Sequence, residues 1–317
     1  MKKLERPEYL LLAAVLMLLA AGLFGPFVAQ PAHQHDFADQ RVWGAIPYSM
    51  DVLSNLPFAL WGVAGLGCVT ALFRQKGLQK HSIGGAQATV ELGLAALFFV
   101  GLLATAAASS WYHWMPNNST LAVDRLGMVI AFAGLLGLSA TGRISWRAGL
   151  GLGCTVLVFG ALSVRVWLLE GNILPWLLTQ FGGMAMVLWF ARLKPLPGTL
   201  PVRWGLVIMV YAVAKLLELG DHPIYEWTSH AVSGHSLKHA VASFAAWPVL
   251  AALSVWMKSD AEITQPENTW IAKLQRHKTS AESPATVQRV PSRPLPGQLR
   301  ATQGLRAFKT NQNRSQA

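Results

Sequence analysis

Charge is scarce in this chain. Of its 317 residues only 13% are Asp, Glu, Lys or Arg, while 53% are hydrophobic and the mean hydropathy is +0.37; a soluble domain carries roughly a quarter charged residues. Too little charge is present to clothe a water-facing surface, which excludes an ordinary soluble globular domain. Cysteine is scarcer still. Cys68 and Cys154 both fall inside apolar runs, so no disulfide framework or CxxC site can form, and the two thiols read as small hydrophobes. No internal repeat of the kind that marks transporters is visible.

What is abundant is apolar sequence in long runs. A helix needs about 20 mostly apolar residues to cross the hydrocarbon core of a bilayer, and eight segments qualify: 10–28, 52–73, 88–108, 123–140, 148–169, 174–191, 204–219 and 237–257. The seventh is the shortest and contains Lys215 and Glu218. The first follows Lys2, Lys3 and Arg6 and ends near the small residues Ala20, Ala21 and Gly22, as a signal peptide would. Its apolar run is longer than a usual signal core, which favours an uncleaved anchor.

Lys and Arg in short connections mark the cytoplasmic side. Arg74, Lys76 and Lys80 lie between segments 2 and 3, Arg143 and Arg147 between 4 and 5, and Arg192, Lys194 and Arg203 between 6 and 7; Lys2, Lys3 and Arg6 precede the first. The alternate connections contain only Arg41. Both termini are therefore expected in the cytoplasm of a multi-pass protein of the cell (inner) membrane. After Met257 the composition shifts to Pro, Ser, Gln and Arg, with ten basic and four acidic residues. Such a stretch has too few apolar residues to fold alone. It reads as a solvated tail that touches anionic lipid rather than nucleic acid. The expected organisation is an all-α polytopic bundle: an anchor helix in 1–28, a seven-helix membrane domain in 29–257, and a disordered basic tail in 258–317.

Seven of the nine histidines, His33, His35, His113, His222, His230, His235 and His239, fall on the non-cytoplasmic side of this topology; His81 and His277 do not. His235 and His239 are four apart at the start of the last segment, a spacing that stacks both rings on one helix face. They can share a metal, cap the helix, or hydrogen-bond between helices. Ser109 and His113 repeat that spacing at the end of the third segment, and Asp124 follows at matching depth. His113 also sits among Trp111, Tyr112 and Trp114, an interfacial aromatic belt. Asp124 alternatively serves as an anion near a helix N-terminus, and Ser109 as a donor to a backbone carbonyl. Three histidines with one open position are nonetheless the protein share of a catalytic zinc site, and a nearby carboxylate can take a proton from the activated water. Ionisable groups at membrane depth are costly and usually mark a functional pathway.

Together with "DVLSNLPF" at 51–58, the set Ser109-x3-His113, Asp124 and His235-x3-His239 resembles the alkaline ceramidase family, part of a wider group of seven-helix membrane hydrolases that includes the adiponectin-type receptors. The resemblance spans segments 2 to 8, with segment 1 an addition before the seven-helix core. It implies zinc held by His113, His235 and His239, Asp124 and Ser109 as catalytic groups beside the water, and hydrolysis of the amide of ceramide or a related N-acyl lipid that stays within the bilayer. Some members bind calcium through an acidic N-terminal loop; Asp36, Asp39 and Asp51 are the candidates here, against a solvated loop with Asp51 as a helix cap. The sequence departs from the resemblance at Lys238, where related eukaryotic enzymes often carry an aromatic residue.

Lys215 and Glu218, three apart, are expected to pair within the membrane. The stretch 220–230, with Asp221, His222, Glu226 and His230, is placed to cap the site or to steady the metal ligands from behind. Two rival functions stand beside the hydrolase: a haem protein with histidine axial ligands, and a receptor or transporter in which a metal is not catalytic.

Overall fold

The computed structural model describes residues 4–77 and 85–264, and side chains over 4–74 and 85–257. Lys2, Lys3, Lys80, His81, His277 and the basic segment from 265 onward lie outside the described residues. Every regular element among those described is helical: α1 (Arg6–Phe24), α2 (Ser49–Leu53), α3 (Leu56–Gly77), α4 (Gly85–Trp114), α5 (Asn118–Thr141), α6 (Trp146–Glu170), α7 (Leu174–Leu177), α8 (Gly183–Ala191), α9 (Trp204–Leu219), α10 (Asp221–Trp227), α11 (Gly234–Ser243) and α12 (Trp247–Thr264). A π turn, Leu178–Gly182, joins α7 to α8, and a 3-10 turn, Phe244–Ala246, joins α11 to α12.

Seven of the resulting segments are long and apolar enough to cross a membrane: Arg6–Phe24, Ser49–Arg74, Gly85–Trp114, Asn118–Thr141, Trp146–Glu170, Leu174–Ala191 and Gly234–Met257. Their outward side chains suit lipid. Leu16, Met17 and Leu60 are 55%, 67% and 71% exposed, an arrangement unfavourable in water and ordinary against acyl chains. The remaining expected segment, the seventh, does form a helix, α9, but its 16 residues span only about 24 Å. Helix α1 buries just Leu11, and its Glu8 accepts a hydrogen bond from the Ser145 hydroxyl that caps α6.

The sequence places the breaks. Pro57 lacks an amide hydrogen and its ring crowds the carbonyl four residues back, so the second segment is interrupted at Ser54 and Asn55, whose side chains both donate to the Asp51 carbonyl. Pro248 acts likewise on the last segment, where the 3-10 turn precedes it. Between α4 and α5, Asn117 starts the new helix by accepting from the Ser119 and Thr120 amides, and the Thr120 hydroxyl accepts from the Asn117 amide. Helix α5 therefore begins at Asn118, earlier than expected from hydropathy.

Helices α4 and α5 approach closely because small residues line their contact. A Cβ on Gly101 would lie 2.2 Å from the Ala131 amide nitrogen, and one on Gly134 2.2 Å from that of Phe98. In lipid, such close backbone approach supplies the packing that the hydrophobic effect does not. It also fixes the register that sets the end of α4 against the first turns of α5. A Gly101→Leu substitution is expected to lower the unfolding midpoint in detergent by about 5 °C or more. Gly93→Leu, on the same helix with open space around its Cβ position, should leave the midpoint within about 1 °C; equal shifts for the two would contradict this account of the contact.

Candidate metal centre

Three imidazoles meet at one end of the bundle. His113 comes from the last turn of α4, and His235 and His239 from the first two turns of α11. Their ligand nitrogens all lie within 4.8 Å of one another, and among the described residues this is the one group of three His, Cys, Asp or Glu side chains placed to hold a metal ion. Ring centroids are 4.8, 4.9 and 5.0 Å apart. The Nε2 atoms of His113 and His235 are 3.3 Å apart, and all three residues are buried.

Local sequence explains how the α11 pair reaches that point. Ser233 caps the helix, its hydroxyl accepting from the Ser236 amide, and Gly234 allows α11 to start against α9. A Cβ at Gly234 would lie 2.3 Å from the Leu217 carbonyl oxygen and 2.8 Å from Asp221 Cα. Asp221 then accepts from the His235 amide at 2.7 Å. The buried Asp51 carboxylate accepts from the Ser236 hydroxyl at 2.6 Å, tying α2 to α11. His239 is oriented by Ser54, whose hydroxyl lies 2.8 Å from its Nδ1, leaving Nε2 as the nitrogen that can ligate. The helix break forced by Pro57 thus presents the hydroxyl that orients this ring.

The loop from 25 to 48 closes over the rings. Phe37, buried, meets His113 and His235 edge-on, both at 4.7 Å between centroids. The Ala38 amide donates to the second oxygen of Asp221, and His35 Nδ1 lies 2.9 Å from the Tyr112 hydroxyl. Arg41 holds Asp39 through Nε at 2.8 Å and also donates to the Ala231 carbonyl. Burial acts to raise the Asp39 carboxyl, but the Arg41 hydrogen bonds and charge outweigh it and keep it below the usual carboxylate range.

The remaining predicted groups lie close by. Ser109 is buried one turn below His113 on α4, and its side chain faces Asp124 of α5. Asp124 Oδ1 is buried and accepts no hydrogen bond. Because α5 starts at Asn118, Asp124 is past the first turn and does not serve as an N-terminal helix anion. Its neighbour Arg125 is anchored elsewhere, stacked 3.9 Å over Trp167 and donating to Gln30. The three calcium candidates are not brought together: Asp39 pairs with Arg41, Asp51 with Ser236, and Asp36 lies 3.9 Å from His222. Nor does Asp51 cap α2, whose N-cap is Tyr48.

Lys215 and Glu218 pair as expected, and Lys238 joins them, donating to the other Glu218 oxygen at 2.8 Å. Of the stretch 220–230 only Asp221 reaches the centre; His230 pairs with Glu226 on the surface. Phe37 carries no sequence signal, since nothing sets it apart from Phe27, Trp43 and Tyr48 in the same loop. Arg125 was masked by its neighbour Asp124.

No family model matches this chain, and no curated protein is significantly similar to it. The centre must therefore be judged on its own chemistry. A hydroxyl that fixes the far nitrogen of a ligand histidine commonly controls metal affinity by about 10- to 100-fold. Ser54→Ala is accordingly expected to weaken zinc binding within that range in chelator competition, with helix content unchanged in circular dichroism; an unchanged affinity would remove Ser54 from the centre.

Proposed function

We propose that this chain is a zinc-dependent membrane amidohydrolase that cleaves the amide of ceramide or a related N-acyl lipid. The observation that carries the reading is the 3.3 Å separation of the His113 and His235 Nε2 atoms. Two nitrogens at roughly 2.0–2.1 Å from one tetrahedral zinc are about 3.3–3.4 Å apart, so these rings stand at a separation one ion can bridge, and the His239 nitrogen lies within 4.8 Å of both. The donor set fits as well: three neutral imidazoles and an open position make a hydrolytic rather than a structural site.

Zinc there supplies Lewis acidity that makes water nucleophilic near neutral pH. The rest falls to this chain's residues. Asp124, with an oxygen free of hydrogen bonds, takes the proton of the attacking water. As the new C–O bond forms and the C–N bond breaks, Asp124 returns that proton to the leaving nitrogen, giving a fatty acid and a free amine. The Ser109 hydroxyl orients the water or donates to the oxygen on which charge develops. Ser54 and Asp221 hold His239 and His235 in place. Phe37 closes the loop side, so a lipid meets the rings from within the bilayer.

The reading carries a topology: eight transmembrane helices, α1 preceding a seven-helix core, both termini cytoplasmic, the site near the non-cytoplasmic face, and the basic tail on anionic lipid. Haem is disfavoured, because no macrocycle fits between imidazole nitrogens 3.3 Å apart. A receptor or transporter with a non-catalytic metal is the second reading, favoured by the burial of all three histidines.

One experiment separates them. Protein purified in detergent is assayed for fatty-acid release from ceramide and other N-acyl lipids, alongside Asp124→Asn and His235→Ala. Hydrolysis predicts that Asp124→Asn keeps zinc but loses at least about 100-fold in kcat, and that His235→Ala loses both. Equal turnover in all three, or none in the wild type with zinc bound, would defeat the enzymatic reading.

A further inference from the structure

The Lys215–Glu218–Lys238 cluster is not accounted for by helix pairing. One carboxylate and one ammonium would suffice to join α9 to α11, yet Glu218 receives two, at Oε2 from Lys215 and at Oε1 from Lys238. Within the cluster the second ammonium has no carboxylate of its own, and charge at membrane depth is costly without a partner. No other neighbouring carboxylate among the described residues makes a direct ion pair with either lysine: Asp221 accepts from the His235 and Ala38 amides, Asp51 from the Ser236 hydroxyl, and Asp39 pairs with the Arg41 guanidinium. Asp124 feels the Lys238 charge without pairing with it.

The cluster's position is specific. Lys238 precedes His239 and is three residues from His235, so its Cβ lies within about 5–6 Å of that histidine's. Its charge acts on all three rings and on Asp124. The side chains of Lys215, Glu218 and Lys238 are 28%, 30% and 20% exposed, whereas the imidazoles are buried and Phe37 covers the loop side. The lysine side is therefore the more open approach. Each ammonium has three donors and spends one on Glu218.

We propose that Lys238, with Lys215 behind it, binds an anionic group next to the scissile amide, so that the substrate class is an N-acyl amino acid rather than a neutral ceramide. This rests on the hydrolase reading above. A carboxylate one carbon from the amide nitrogen suits a cation so close to the imidazoles; a phosphate set further along a headgroup would overreach it. Hydrolysis would release the fatty acid and the free amino acid, with water the only co-reactant.

The test uses a matched pair, N-palmitoyl-serine and N-palmitoyl-serinol, which differ only in carboxylate against hydroxymethyl, with C16 ceramide and its 1-phosphate as further arms. Wild type is expected to favour the carboxylate by about tenfold or more in kcat/KM, the size of a charge-assisted hydrogen bond. Lys238→Met should collapse that ratio mainly through KM, and Lys238→Arg should keep most of it. Equilibrium binding of radiolabelled N-palmitoyl-serine, with unfolding midpoints as a folding control, is measured in parallel. Preference for serinol, ceramide or ceramide phosphate overturns the proposal and leaves the hydrolase standing. So does a Lys238→Met ratio equal to wild type, which would reduce the lysine to a helix tether. Lys238-dependent binding with no turnover of any lipid would instead support the anion site and overturn the hydrolase.

Discussion

Three imidazole rings must meet at one point away from water, and the end of the bundle where they do so is organised around that requirement. A neutral imidazole has one N–H and one lone pair, and His113 Nδ1 is buried without a hydrogen-bond partner, so the rings alone do not hold one another in place. The geometry is held from outside. Asp51 of α2, Ser54 at the C-cap of that helix and Asp221 of α10 each fix a part of α11 or one of its rings. Close packing of α4 on α5 supplies His113 and sets Ser109 against Asp124.

The same constraint links backbone features that look unrelated. Pro57 breaks a membrane helix, which would be costly in lipid were the freed groups not taken up again; here Ser54 and Asn55 return hydrogen bonds to Asp51, and Ser54 also reaches His239. Gly234 is required because α11 starts in contact with the end of α9, which places Lys238 within reach of Glu218. On the proposed reading, one close helix approach thus serves both the metal and the recognition of the acylated amine.

The helical membrane architecture was legible in hydropathy because lipid demands long apolar runs, and the three histidines in spacing and topological depth. Helix ends were less so. Hydropathy ends α4 at Ala108 and starts α5 at Val123, whereas capping by Asn117 and Thr120 carries the helices through His113 and back to Asn118. The supporting shell was only partly visible. Ser54 stood in a noticed motif without a role, and Asp221 in a stretch of several acceptors with nothing to single it out. Phe37 depends on how a 24-residue loop folds back, a long-range outcome that no local pattern encodes. The acidic candidates have separate partners: Asp39 pairs with Arg41 in its own loop, and Asp51 with Ser236 of α11.

X-ray absorption at the zinc edge addresses the central claim most directly. Protein purified with about one zinc per chain should show three imidazole nitrogens and one non-imidazole oxygen donor at roughly 2.0–2.1 Å, with one imidazole lost in His113→Ala. Zinc surrounded by oxygen donors only, or a spectrum indifferent to His113→Ala, would contradict a shared site between α4 and α11.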